Sequence, residues 1–478
     1  MKIKHIILIG LLCTIGLSYG QGVVVHNILL ENKFKDDITK TIVRSYNNNS
    51  ISYIEGNIKH CFVAMSYSPT DTGHNFNLVE TKEIQIDNSY IVNDFKIVDS
   101  SYVYLCGKHI KNNDSLGFIG FFELSEFLAG NDNTVIEVND DFRQKINNYT
   151  VKVSNLIKME VFFGGGDKFH VVAIGETSDS RSCIVEMKTD MVGDINGTYQ
   201  LGISTCKTER INDIAVTDNY VVTVGTCYLA PYSTIRRYLK HDIFSNIVNH
   251  DTAYLYPPNE SISATEYLAD DINNILITPI QGDTIAIASY CYNSANQTPH
   301  LNGTLIRIYD VSSTPEPSML ASISINQNYY NGDWKLKEFQ YNPVFKTFEL
   351  LQNMEDAPNS LVNLFSKIYL NNVFLVESAK YYDIEFSSFD NYFSSQYNIL
   401  SGYDINNPFK WIFVGDKIDN PNFCNGYNLN QTISFKSLYT AKIVTDNFSE
   451  NKDDLSFYKK HLFNFKSKHM DLLCIKHQ

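Results

Sequence analysis

The residues of this chain best suited to chemistry are scattered, and each short motif that holds them fails at a definable point. Asp71-Thr-Gly73 has the residues that place an aspartic-protease carboxylate. That mechanism needs two carboxylates sharing a proton, and no second Asp-Thr/Ser-Gly is present. Gly164-Gly-Gly166 would cradle phosphate if it opened a helix, but Lys168-Phe-His-Val-Val172 follows, a strand pattern that makes the glycines a hairpin turn. Asp194-Ile-Asn-Gly197 begins like a calcium loop and lacks the distal Glu; Asn-Gly is also a strong hairpin signal. His469, Cys474 and His477 cluster, and His241-Asp242 is echoed by His250-Asp251, without a zinc spacing. Nor is there a Gly-x-Ser-x-Gly elbow. No metal or cofactor is expected, and no catalytic residue is assigned.

What repeats is a polar anchor. Asn93-Asp-Phe-Lys-Ile-Val-Asp-Ser-Ser-Tyr-Val-Tyr-Leu-Cys-Gly107 aligns with Asn212-Asp-Ile-Ala-Val-Thr-Asp-Asn-Tyr-Val-Val-Thr-Val-Gly225. Degraded copies begin at Asn155 (closing at Gly175), Asn274, Glu338 and Asp383 (closing at Gly402), with an earlier unit near Ser50 and Cys61. The anchors Ser50, Asp94, Asn155, Asp213, Asn274, Glu338 and Asp383 lie 44, 61, 58, 61, 64 and 45 residues apart. Asp94, Asn155, Asp213, Asn274, Glu338 and Asp383 are therefore the candidate ligand-binding residues: six oxygen-bearing side chains able to hold a cation or order water. The competing role, which carries more weight, is that Asp and Asn hydrogen-bond their own backbone.

The elements that must position these residues are strands. Short runs of Val, Ile, Tyr and Phe alternate with Asn, Asp, Gly and Ser clusters. Only Glu123–Leu128 and Ser360–Tyr369 read as brief helices. Several units continue into a third strand, as in Gly303-Thr-Leu-Ile-Arg-Ile-Tyr309. Three or four strands recurring in this way resemble the β-propeller superfamily over nearly the whole chain, without a Trp-Asp or kelch signature. Tandem β-sandwiches and a β-solenoid are the competing architectures. The resemblance implies an all-β propeller, most simply of seven blades, as one domain over residues 21–478. It also implies closure of the ring: Val23–Leu30 would add a strand to a last blade built from Leu438–Val444 and Asp471–Ile475. The anchors would then open each innermost strand, near one mouth of the central channel.

Composition bounds the rest. The chain has 478 residues, 39 Lys+Arg against 53 Asp+Glu and a net charge of −14, so nucleic acid is not an expected partner. Residues 1–20 read as a signal peptide, with a basic Met1–His5, an apolar Ile6–Leu17 and a small-x-small Ser18-Tyr-Gly20; Leu12 argues against a lipidated Cys13. No later stretch suits a membrane helix, and the expected location is periplasmic or extracellular. Eight further cysteines permit disulfides, but buried thiols suffice in a chain of this size; Cys183 with Cys206 is the one pairing suggested. Tyr-rich loops, Asn328–Trp334 and Tyr228–Tyr232, suit contact with protein or glycan. The functional expectation is an exported, non-enzymatic binding or scaffolding module. The alternative is a glycan-active hydrolase or lyase with acids in a central pocket.

Overall fold

The computed structural model describes residues 25–477, leaving aside 34–35, 48, 70–75, 100, 130–134, 147–148, 166–167, 190–197, 205–208, 228–231, 241–242, 244–250, 256–268, 293–302, 314–316, 327–333, 358–359, 370–375, 383, 393–396, 418–426, 429–431, 437–441, 446–451, 455–457 and 462–470. The proposed signal peptide, Asp71–Gly73, Asp194–Gly197, all but the last residue of each Tyr-rich loop and Asp383 therefore lie outside the described residues.

Seven antiparallel sheets form the fold. In blades 1 to 6 the chain runs up and down through four consecutive strands. The innermost strands are Ile38–Tyr46, Tyr90–Val98, Tyr149–Gly165, Glu209–Val216, Ala269–Gln281 and Trp334–Asn342. Blade 7 takes Ile384–Tyr392 as its inner strand, then Tyr397–Asp404 and Asn407–Lys417, and completes itself with Val25–Lys33 from the other end of the chain. Each blade packs on the next, and blade 7 packs on blade 1, so the ring is closed. The β-propeller is thus the observed architecture, with ring closure by the N-terminal strand as the sequence suggested.

The local signals are physical ones. Hairpins turn on residues that tolerate positive φ, such as Asn47, Asn112 and Asn113. The inner strands bulge just before the polar anchor, between Val92 and Asp94 in blade 2 and between Ile211 and Asp213 in blade 4. The bulge pushes a carbonyl onto the second strand, where only glycine leaves room. A Cβ on Gly107 would lie 1.9 Å from the Ile91 carbonyl oxygen, and one on Gly225 2.0 Å from that of Arg210. The repeated closing glycine is explained by this contact.

Because both faces of each blade are covered, the cores sit between blades. Phe62, Phe95, Phe118 and Phe122 join blades 1 and 2; Leu156, Val171 and Val185 meet Tyr104 and Ile119 between blades 2 and 3. A six-residue helix, Leu124–Ala129, adds Leu124 and Phe127 to the first of these cores.

The last part of the chain departs from expectation. Tyr427–Asn428 pairs with the outer strand of blade 6, Thr432–Lys436 with blade 5, Lys442–Thr445 with blade 4, Lys452–Asp454 with blade 3 and Tyr458–His461 with blade 2. Asp471–His477 then pairs with Val25–Lys33 in blade 7. These six strands form a belt that runs round the rim against the direction of the ring. Among the described residues, blade 1 alone has no belt strand. The expected closure is corrected accordingly. Asp471–Ile475 does reach the closing sheet, but Lys442–Thr445 belongs to blade 4, and the last blade is built from 384–417.

Three smaller expectations are also corrected. Ser360–Tyr369 is a strand, because Asn363–Ile368 is buried on both faces within a sheet, a demand no amphipathic helix meets. Ser50 lies on the second strand of blade 1, whose inner strand starts earlier, at Ile38. Cys183 is a free, buried thiol, as is Cys106; it pairs across the sheet with Ile203, where that strand ends, three residues short of Cys206.

Candidate functional site: the central channel

The inner strands enclose a channel with a chamber at each end. We call the end where the inner strands begin the entry face. The entry chamber, about 360 Å³, is lined by Lys40, Asn93, Asn155, Lys158, Lys337 and Ser387 among others. The exit chamber, about 400 Å³, is lined by Lys96, Glu160, Asp213, Thr278, Gln340 and Asp390 among others. Arg44, Lys158 and Glu338 line both and mark the layer between them.

The expected anchors separate on this axis. Asp94, Asp213 and Glu338 occupy one repeat position in blades 2, 4 and 6, and all three line the exit chamber. Each follows a bulge and accepts a backbone N–H from the inner strand of the next blade: Met159 N to Asp94 Oδ2 at 3.2 Å, Ile277 N to Asp213 Oδ2 at 3.0 Å, Phe389 N to Glu338 Oε2 at 2.8 Å. Asp94 and Asp213 also cap the N–H of the residue after themselves, each at 3.0 Å. Blade 7 uses Ser388 at this position, whose hydroxyl accepts from Val43 N at 3.1 Å. These side chains fasten one blade to the next.

Asn155 and Asn274 are not at that position. The Tyr149–Gly165 strand bulges twice before Lys158, so Lys158 holds the place in blade 3, and Asn155 lies towards the entry face. In blade 5 the place falls to Leu276, next to Ile277, and Asn274 is two residues early within its strand.

Cations were the part of the site that the sequence reading passed over. Arg44, 8% exposed, reaches from blade 1 to Asp94 in blade 2 at 2.8 Å through Nη2 and across to Glu338 in blade 6 at 2.8 Å through Nη1. Its Nε donates to the Phe95 carbonyl at 3.2 Å. Lys96 pairs with Glu160 at 2.7 Å between blades 2 and 3. The signal was present as charge at alternate positions of an otherwise apolar strand, in Asp94-Phe-Lys96 and Lys158-Met-Glu160.

Burial and these cations set the ionisation. Burial alone would raise the Asp94 carboxyl, but Lys158 and Arg44 overcome it and hold it at about 2. Burial dominates at Asp213 and pushes it up to about 6, against the pull of Lys158 and of the Ile277 and Ile214 N–H groups. Burial lowers Lys40 to about 8. Among the described residues no group of three or more His, Cys, Asp or Glu is placed to hold a metal ion.

No protein-family model and no curated protein matches the chain. Among solved structures it is similar to Drosophila Semaphorin 1b, extracellular domains 1-2, at 9% identity and a TM-score of 0.36, covering 83% of this chain and 88% of that one. It is also similar to a chain of Drosophila Plexin A in complex with Semaphorin 1b, at 9% identity and a TM-score of 0.38, with 83% and 88% covered.

Proposed function

We propose that the chain is an exported, non-enzymatic binding or scaffolding module that meets a protein or glycan partner through the loops on one propeller face. The observation that supports this is how the channel acids are used. Asp94, Asp213 and Glu338 each accept a backbone hydrogen bond from the neighbouring blade, and Arg44 is ion-paired with two of them. Glycoside hydrolysis needs one carboxyl free to donate a proton and another free to attack or to activate water. Carboxylates committed to joining blades suit a rigid frame better than a reaction, and a rigid ring is what recognition loops require. Among the described residues no helix is long and apolar enough to cross a membrane. The test is a glycan-array screen and a polysaccharide-hydrolysis screen on the full chain, with fractionation of expressing cells. Export and saturable binding without cleavage fit the reading. Cleavage of any polysaccharide, abolished by Asp213→Asn, would replace it with the hydrolase.

A further inference from the structure

The two chambers carry opposite charge. The exit chamber has Arg44, Lys96 and Lys158 against Asp94, Glu160, Asp213, Glu338 and Asp390, three cations to five carboxylates and a net −2. The entry chamber has Lys40, Arg44, Lys158 and Lys337 against Glu176 and Glu338, four cations to two carboxylates and a net +2, in a chain whose overall charge is −14.

Both entry-chamber acids already have cation partners: Glu338 has Arg44 at 2.8 Å, and Glu176 has Arg210 at 3.7 Å. Lys337 has Glu385 at 3.5 Å. Lys40 and Lys158 are left: among the described residues neither has a carboxylate within 4.0 Å, and the acid that acts most on Lys40 is Glu55, opposite it on the second strand of blade 1. The Lys40 ammonium donates to the Val92 carbonyl and to Asn93 Oδ1, each at 3.0 Å, which leaves its third N–H. Lys158 makes no hydrogen bond among the described residues; burial works against its charge, but Asp94, Asp213 and Glu338 overcome it and keep the ammonium protonated. Its positive charge in turn disfavours protonation of Lys40, which brings the two cations into one field.

The neutral lining also offers donors. Asn93 Nδ2 donates to Asn155 Oδ1 at 2.7 Å, which fixes the Asn155 amide and leaves its NH₂ without a partner among the described residues. A chamber rich in unsatisfied donors and short of acceptors selects a ligand made of acceptors carrying negative charge. Its 360 Å³ is room for about a dozen waters at roughly 30 Å³ each, the scale of a small solute and not of a chain segment.

We propose that the entry chamber binds a small oxyanion, a carboxylate- or phosphate-bearing solute, held by the Lys40 and Lys158 ammonium groups with the Asn155 amide completing the cradle. This goes beyond the reading of the outer loops and stands or falls separately from it.

Calorimetric titration and thermal shift of the full chain would test it, using inorganic phosphate, succinate and galacturonate at matched ionic strength, with galactose as the neutral control. At least one oxyanion binds saturably and raises the melting temperature, and galactose does neither. Lys40→Met and Lys158→Met each weaken that binding about tenfold or more, as the loss of a charge-assisted hydrogen bond requires. Lys96→Met, in the exit chamber, leaves it within about threefold. Where Lys158→Met fails to fold, Lys40→Arg against Lys40→Met makes the same comparison, with binding kept in the first and lost in the second. Saturable binding by none of the three oxyanions, or binding indifferent to the charge at position 40, overturns the proposal.

Discussion

The inner ring and the outer belt do the same job, joining blades, by opposite means. At the channel, neighbouring inner strands are fastened by named side chains: Asp94 to Met159, Asp213 to Ile277, Glu338 to Phe389, Ser388 to Val43, and Arg44 to two blades at once. At the rim, the belt contributes backbone pairing along strands of two to seven residues. Fastening by side chains demands particular residues and leaves a trace in the sequence. Fastening by backbone demands only an extended segment at an edge, and its cost is that the pairing is non-local and slow to form. The benefit is general, because an outer strand left open is a template for aggregation.

The largest effect should come from removing the belt. A chain ending at Lys417 loses six strands and uncovers the outer edges of blades 2 to 6, together with that of Val25–Lys33 in blade 7. It should aggregate on expression or melt at least about 10 °C below the full chain, since several kcal/mol shift the melting point of a large domain by a few degrees each. Calorimetry and light scattering report this. A soluble, monomeric product melting within about 2 °C of the full chain would mean that the inner ring suffices and the belt is ornament.

Arg44 is the sharpest probe of the inner ring. Arg44→Met keeps an unbranched apolar stem but leaves Asp94 and Glu338 buried without their guanidinium, a change worth about 3–5 kcal/mol when one member of a buried pair is removed. Arg44→Lys should recover only part of it, because one ammonium cannot serve blades 2 and 6 as the guanidinium fork does. Denaturant unfolding measures both. Equal stability of all three would show that the fork is not what holds the layer.

A smaller loss is expected at the bulge. Gly225→Ala places a methyl 2.0 Å from the Arg210 carbonyl oxygen, and relieving that contact should cost about 1–3 kcal/mol. A neutral result would separate the repeated glycine from the bulge it faces.

These probes track what could be read beforehand. The Asn-Asp opening and the closing glycine were visible because a bulge needs a cap and the carbonyl it displaces needs a gap. The anchor register slipped in blades 3 and 5 because the Tyr149–Gly165 strand spends an extra residue in a second bulge, and because Lys158 and Leu276 replace the acid that marks the position elsewhere. Arg44 was hidden for a related reason: its partners lie 50 and 294 residues away. Belt strands such as Thr432–Lys436 have no adjacent hairpin partner, and periodicity cannot announce a pairing with an edge more than a hundred residues earlier.

The finest distinction lies between two carboxylates at the same repeat position. Asp94, beside Arg44, is held at about 2; Asp213, without an ion pair among the described residues, is raised to about 6. A depressed carboxyl stabilises the fold above its unfolded value near 3.8, and that contribution is lost as pH falls towards 2. A raised one does the reverse. Between about pH 4 and pH 6 the native state binds a proton at Asp213 that the unfolded chain has released, so stability falls as pH rises through that window and is level above it. Two pKa units correspond to about 3 kcal/mol. Asp213→Asn should therefore remove a downward slope between pH 4 and 6, whereas Asp94→Asn should lower stability at neutral pH and flatten the acid limb below pH 4. The measurement is the difference in unfolding free energy between each variant and the parent across pH 3–8. The same slope for both variants would mean that Arg44 does not divide the ring electrostatically, and that the blades share one interior environment despite their different fastenings.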